Sequence, residues 1–458
     1  MRRLPALFSL LVLAALPISG QSHDLFVSMM GNDAAPGTKS QPWRTLQHAA
    51  DRANSGDTVT VRAGVYAGFQ MLHSGAKDRP IRFRSAPGEA ATIESAKDGV
   101  LIGESGNTPK AVVRYVEVSG FHMKGGADTW NGSFAANGTV GVVFRNNIVE
   151  ETKGNHGILA FNSHDFRIEN NTIRGAAVMG IRAARSFGGV IRGNHVSGCG
   201  FGMVGDDGSG IYVNGSQDIL IENNTAQGNK GNGILTELSD ALTIQRNTCL
   251  SNGWAGIWID SARGGLVTRN VCRDNGGGIW ASQTQGGLLT DVQIIANICD
   301  SNTRMHAHAT RGGGIWLREG TNVAILNNVV YRNGHIDNPG SSGIFLGVYW
   351  GSSQEVVKNA VIRNNLCVGN LGSQFRIAPA QIDRNNRVDH NDFQSEGTTP
   401  LVVWGEDKYM KVAAWQKASR QGAGTLSADP RFVNPTAASW QKRDFHLRPD
   451  SPYPQMGA

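Results

Sequence analysis

Glu237 and Asp260 stand 23 residues apart, and each closes the same short pattern: Ile234-Leu235-Thr236-Glu237 and Ile257-Trp258-Ile259-Asp260. Two carboxylates at matched positions of neighbouring structural units could cut a glycosidic bond. One, ionised, serves as nucleophile or base; the other, its pKa raised by the like charge beside it, serves as acid. A separation of about 5 to 5.5 Å suits retention of configuration, and a wider one suits inversion. Asp206-Asp207-Gly208 lies shortly before the preceding unit and adds two candidate acids. Asp-Asp-Gly is also ordinary turn chemistry, and stacked surface carboxylates can simply pair with Lys230 or Arg318.

The positions around these carboxylates recur too. Arg182, Tyr212, Leu235, Trp258, Trp280, Trp316 and Phe345 form one series. Ala184, Asn214, Glu237, Asp260, Ser282, Arg318 and Gly347 form a second. Flat rings stack on sugar faces while polar neighbours bond hydroxyls. The candidate substrate contacts are therefore Tyr212, Trp258, Trp280, Trp316, Asn214, Arg182, Arg318, Lys230 and His306, unless loops fold over the rings and make them a satellite core. His306-x-His308 lacks a third ligand in sequence, so no metal is assigned. Proton abstraction beside a uronic carboxylate needs a base, and positive charge to hold the resulting anion. Lys153, Lys230, Arg182 and Arg311 are the basic candidates for that second chemistry.

These residues act together only if the chain repeats with a fixed pitch. Asn147, Asn171, Asn194, Asn224, Asn247, Asn270, Asn297, Asn328, Asn365 and Asn391 recur at steps of 24, 23, 30, 23, 23, 27, 31, 37 and 26 residues. A period in this range marks a stacked-repeat architecture. Each repeat opens Gly-Ile, alternates for four residues, turns, alternates again and reaches its asparagine. Such alternation means half-buried strands, so each repeat is one coil of two or three short strands. Stacked coils put equivalent residues roughly 4.8 Å apart. The asparagines should bond along the stack as scaffold. The opening Ile and the residue two later face inward, and the two series above face outward. The fold expected is all-β, a right-handed parallel β-helix of about 10 to 12 coils. Insertions at 201–209, 303–313 and 335–342 precede an opening Ile and should project beside the outward series, bringing Asp206, Asp207, His306, His308, Arg311, His335 and Asp337. Segments 46–53 and 408–420 read as short helices covering the open ends of the solenoid.

Arg2 and Arg3, an apolar run over 7–16 and Ile18-Ser19-Gly20 read as an export signal over 1–20. The coil body is then expected over 21–395, with its opening segment, and a C-terminal cap over 396–458. The protein is expected to be secreted or periplasmic, not membrane-bound, and monomeric. The net charge of +6 includes no Lys/Arg run, which argues against nucleic acid as partner. Cys249, Cys272, Cys299 and Cys367 each follow a repeat asparagine by two residues. They read as an interior column of thiols; cross-linking of neighbours is the alternative.

Three stretches of sequence resemble the secreted bacterial β-helix proteins of the pectin-lyase-like superfamily. The first runs from Phe26-Val27-Ser28 through Gly31-Asn32-Asp33, Pro36-Gly37-Thr38, Pro42-Trp43-Arg44-Thr45-Leu46 and Gly56-Asp57-Thr58-Val59 to Gly64-Val65-Tyr66. The second is the Gly-Ile…Asn coils. The third is Asp429-Pro430-Arg431-Phe432 with Asp444-Phe445-His446-Leu447 and Ser451-Pro452. Together they span nearly the whole chain after the signal. The resemblance implies the fold and leaves the reaction open, since one scaffold hosts lyases, hydrolases, epimerases and tail-spike-like binders. Asp206-Asp207-Gly208 resembles paired-aspartate turns of β-helix polygalacturonases and of some calcium-dependent pectate lyases; Ser209 and Gly210 stand where the calcium version would place a third aspartate. Ser163-His164-Asp165 resembles the His-Asp element of alginate epimerases without the fuller motif. The sequence favours a glycoside hydrolase using Glu237 and Asp260, with Asp207 assisting, acting on a polysaccharide or oligosaccharide without a cofactor. The alternatives are a polysaccharide lyase or C5-epimerase on uronic-acid polymers, to which calcium would belong, and a non-catalytic glycan-binding envelope protein.

Overall fold

The computed structural model describes residues 22–94, 99–125, 132–153, 156–202, 208–284, 286–304, 313–335, 341–348, 356–382 and 384–453. The chain winds as a parallel β-solenoid of about 11 turns. Its three faces are sheets of 16, 13 and 14 strands, and along each the successive coils' equivalent strands pair in parallel, with an antiparallel strand at 407–409 closing the third. Every coil therefore carries three strands. The export segment 1–20 lies outside the described residues.

Coil geometry explains the repeat residues. Between the first and second faces the chain turns on a single left-handed residue, immediately before each ladder asparagine: Asn146, Asn170, Asn223, Arg246, Arg269, Ala296, Asn327, Asn364 and His390 have φ between 52° and 58°, and Gly193 has φ 66°. Asparagine tolerates that region best among residues with a Cβ, which accounts for the recurrent Asn-Asn pairs. The second asparagine of each pair is buried and points along the stack. Asn247 Nδ2 donates to Asn270 Oδ1 at 3.0 Å and to Ile221 O at 2.9 Å, while its own Oδ1 accepts from Asn224. The pattern runs unbroken from Asn147 to Asn391. A second ladder keeps the same period five residues later: Asn229, Asn252, Asn275, Asn302, Asn333 and Asn370 repeat the same bonding at the corner between the second and third faces. There a Cβ on Gly233 or Gly256 would meet the next asparagine's Nδ2 at 2.9 or 3.0 Å. The opening glycine is thus the space into which the second ladder packs.

The interior is one continuous apolar core. Cys249, Cys272 and Cys299 stand in register on neighbouring strands. All five cysteines are free and buried, and burial raises the Cys272 thiol well above its ordinary value, its cysteine neighbours adding to the rise. Helix α1 (Leu46–Arg52) follows the first strand, Asp24–Val27, which pairs with Thr58–Val61, and Thr45 Oγ1 accepts from His48 N as its cap. Helix α2 (Val412–Ser419) is shorter than sequence patterning predicts, because 407–409 instead pairs antiparallel with Val402–Trp404. Trp415 of α2 is fully buried against Phe375, Phe393 and Trp404. Beyond it the chain does more than cap an end. The hairpin of Phe432–Asn434 and Asp444–Leu447 lies along the second face, with Phe432, Phe445 and Tyr453 packed on Val329, Tyr331, Leu366 and Val368. Arg443 Nη1 clamps this strap to both oxygens of buried Asp300 at 2.8 Å, and Arg273 shares the same carboxylate.

Candidate functional site

The third face carries the two outward series in the register that the repeat predicts. Its strands His156–Phe161, Met179–Ala184, Ile211–Asn214, Ile234–Glu237, Ala255–Asp260, Gly277–Ser282, Gly313–Leu317 and Ser342–Leu346 follow one another. Arg182 pairs with Tyr212, Tyr212 with Leu235, Leu235 with Trp258, Trp258 with Trp280, Trp280 with Trp316, and Trp316 with Phe345. Asn214 pairs with Glu237, and Glu237 with Asp260. Ile211, Val213, Ile234, Thr236, Ile257 and Ile259 all point into the core, so alternation forces their neighbours outward.

Register does not make the two carboxylates alike. Asp260 is 1% exposed. Its Oδ1 accepts from Thr284 N at 2.7 Å and Ser261 Oγ at 3.2 Å, and its Oδ2 accepts from Thr284 Oγ1. It ties down the turn that follows the next coil's strand, and both its oxygens are spent there. The sequence expectation that Asp260 is an open partner for Glu237 is corrected on this point. Glu237 is half-buried and faces the groove, with Oε2 accepting the Tyr212 hydroxyl.

Tyr212 opens a polar chain running toward the N-terminal coils. The Arg182 guanidinium lies over the Tyr212 ring at 5.4 Å. Arg182 Nε and Nη2 each donate to Asn214 Oδ1 at 3.3 Å, and Nη1 lies 3.2 Å from His156 Nε2. Burial lowers the Arg182 pKa below its ordinary value, with Tyr212 and Glu237 pulling the other way. A cation over an aromatic face in partly dehydrated surroundings is a strong local field for an incoming anion. His156 is 2% exposed and lies behind Arg182, so it positions the guanidinium. Sequence reading passed over His156 because it sits one residue before the Gly157-Ile158 that opens its coil.

The aromatic series divides. Trp258 and Trp316 are half-buried; Trp280 and Phe345 are buried. Trp254, from the turn before the Ala255–Asp260 strand, stacks on Trp258 at 5.9 Å and 16° and joins Trp280 in a small apolar cluster outside the main core. Trp280 is therefore packing, correcting its expected role as an open sugar contact. Arg318 lies half-buried just past the end of its strand, its N–H still donating to Ala281 O, and its guanidinium pairs with Glu319 at 3.1 Å. Lys230 lies, half-buried, in the turn leading to Ile234–Glu237. Ser163 is scaffold: its backbone N–H donates to Ser186 Oγ at 3.0 Å, and Ser186, Ser216 and Ser239 continue that ladder. His164 packs on Phe187, and burial lowers its pKa. Lys153 lines an open cleft of about 690 Å³ with Glu151, Thr152, Ala177, Val178 and Gly202, where the chain enters the coils of His156 and Arg182. Asp206, Asp207, His306, His308, Arg311 and Asp337 lie outside the described residues. Among the described residues no group of three or more His, Cys, Asp or Glu is placed to hold a metal ion.

Comparison with known proteins agrees with this architecture. The chain matches a family model described as a right handed beta helix region over residues 132–291, and one described as periplasmic copper-binding protein (NosD) over 53–209. It is 26% identical over 501 residues to the uncharacterized protein YwoF of Bacillus subtilis (strain 168), covering 94% of this chain and 92% of that one. It is 35% identical over 89 residues to pectate lyase PEL9 of Emericella nidulans, which is 19% of this chain and 22% of that one. Among solved structures, XylC in complex with xylose shares the fold at a TM-score of 0.53 and 13% identity, over 84% of this chain and 86% of that one.

Proposed function

We propose that this right-handed parallel β-helix protein is a carbohydrate-active enzyme working on a uronic-acid polysaccharide by abstraction of the C5 proton, the chemistry of lyases and C5-epimerases. The observation that carries this reading is the connected chain Arg182–Tyr212–Glu237 on the outward face. Arg182 binds the uronate carboxylate and holds the negative charge that builds up as C5 loses its proton. Tyr212 and Glu237 form the proton-transfer couple: the phenol oxygen takes the C5 proton while Glu237 accepts the phenol proton. The carbanion's electron pair then either expels the C4 oxygen, which leaves as a hydroxyl with the proton returned from Glu237 and gives a C4–C5 double bond, or takes a proton from solvent at C5 on the opposite face while Glu237 gives its proton back to solvent. Asn214 and His156 fix the guanidinium. The local similarity to a pectate lyase supports a uronate substrate. The export-like N-terminus and the match to a periplasmic family support action outside the cytoplasm.

Paired-carboxylate hydrolysis has less support than this, because Asp260 is committed to Thr284. A panel of pectate, alginate and neutral polysaccharides, scored in parallel for ultraviolet-absorbing double bonds, C5 inversion and new reducing ends, tests the proposal. Double bonds or inverted C5 centres on a uronate polymer are expected. Reducing ends without either would mean hydrolysis; retention of the glycan with no product at all would mean a binding protein.

A further inference from the structure

The C-terminal strap does not close completely on the coils beneath it. Tyr331, Val368 and Gln394 stand in register on three successive strands of the second face, Val329–Tyr331, Leu366–Val368 and Asp392–Gln394. Val330, Cys367 and Phe393 beside them fill the core, so this column points outward. The strap lies over it, and Phe432 meets the Tyr331 ring edge-on at 6.1 Å and 89°. Between strap and column a cavity of about 260 Å³ remains. Drug-sized ligands occupy about 300 to 1,000 Å³, so the space suits one smaller unit.

The wall of this cavity carries polar groups without partners. Tyr331 is 3% exposed, and among the described residues its hydroxyl has no hydrogen-bond partner. Gln394 follows in the same column, and its Oε1 is buried and unpartnered as well. Such atoms are costly unless a ligand or a water satisfies them, and rotation of the carboxamide presents either its oxygen or its N–H group. Two carboxylates line the same space, each with one oxygen engaged: Glu396 Oε2 accepts from Arg332 and Asp429 Oδ1 from the Arg431 N–H, both at 2.8 Å. Two guanidiniums line it too: Arg431 Nη1 donates to Asp450 at 2.8 Å and Arg448 Nη2 to Val433 O at 3.3 Å, and each has further N–H groups to give. Equal numbers of opposite charges do not select an ion. Donors and acceptors side by side select groups that do both, and a sugar hydroxyl donates one bond and accepts two. Val368 and Phe432 add apolar surface for the C–H face of a pyranose ring. We infer that the strap and the second face form a binding site for one neutral sugar unit, either a monosaccharide or the end of a glycan. This site lies on a different face from Arg182 and Tyr212 and does not depend on the uronate reading.

Calorimetric titration of the full protein tests it, with glucose, galactose, mannose and N-acetylglucosamine as neutral probes and galacturonate and glutamate as charged ones. A hexose at the efficiency of larger ligands binds with a Kd of about a few millimolar, and at least one neutral probe should reach it. One lost hydrogen bond weakens binding about five- to tenfold. Tyr331→Phe and Gln394→Ala should each raise Kd by that factor and leave turnover of a uronate polymer unchanged. Arg448→Ala, at an exposed position, should do the same, and it carries the test if the substitutions beneath the strap disturb folding. Neutral-sugar binding unaltered in every folded variant would place the sugar elsewhere and overturn the inference. Tighter binding of galacturonate or glutamate than of any neutral probe would overturn it in favour of an ionic ligand. Absence of binding by every probe at about ten times the expected Kd would leave only a water-filled cavity.

Discussion

Asp260→Ala separates a scaffold carboxylate from a reacting one. The native side chain accepts two bonds from Thr284 and one from Ser261 while 1% exposed. Bonds to a charged acceptor contribute about 2 kcal/mol each, so losing the Thr284 pair should cost about 4 kcal/mol. With an unfolding entropy of roughly 0.9 kcal/mol/K for a chain of this length, Tm should fall by about 4 to 5 °C. A solenoid can also lose this stability locally, as earlier melting of the coils around Asp260. Calorimetry on the purified protein reads the first effect, and hydrogen exchange across residues 255–290 reads the second. Glu237→Gln is the companion variant: its amide can still accept the Tyr212 hydroxyl, so its Tm should fall by less than that of Asp260→Ala. If Asp260→Ala melts with the parent and abolishes turnover, Asp260 is a reacting group and its assignment to the scaffold is wrong.

Tyr212→Phe keeps the ring beneath Arg182 and removes the proton carrier, so kcat should fall about 10²- to 10⁴-fold with little change in KM; an equal kcat would exclude the phenol from proton transfer. The strap should respond to pH through Asp392. This fully buried carboxyl accepts from Tyr453 and Ala428 N, with Asp429 and the Cys367 thiol as its other charged or titratable neighbours. Burial raises it to about 7. The folded state therefore keeps a proton that the unfolded chain releases, so stability falls between about pH 4 and pH 7 and levels off above, by up to about 4 kcal/mol. Asp392→Asn should flatten that slope in denaturant titrations, and an unchanged slope would exonerate Asp392. The buried thiols should stay silent to a disulfide reagent in the native protein and titrate as five on unfolding; fewer than five would indicate cross-links.

Much of this architecture is legible because a solenoid converts spacing into position. The asparagine steps place Arg182, Tyr212, Glu237 and Trp258 on one face, and the same ruler stacks Cys249, Cys272 and Cys299 inside. The second ladder was legible as well: Asn229, Asn252 and Asn275 each follow a first-ladder asparagine by five residues. Depth below the surface was not legible. Asp260 and Glu237 hold equivalent positions, and what separates them is Thr284, delivered by the following coil. Trp280 and Trp316 likewise occupy one column, and only neighbouring rings and turns decide that the first is buried. The C-terminal strap depends on contacts between segments without repeat periodicity, so period carries no signal for it. Ser163-His164-Asp165 shows the opposite failure, since a motif that resembles chemistry turns out to supply one rung of a serine ladder.

Solvent exchange at C5 tests the central claim most directly. The protein and a uronate polymer are incubated in deuterium oxide, and deuterium incorporation at C5 and formation of the C4–C5 unsaturated product are followed by magnetic resonance. Proton abstraction through Tyr212 and Glu237 predicts deuterium at C5 or loss of the C5 proton into a double bond, both suppressed in Tyr212→Phe. New reducing ends with every C5 proton retained would contradict it and return the site to hydrolysis.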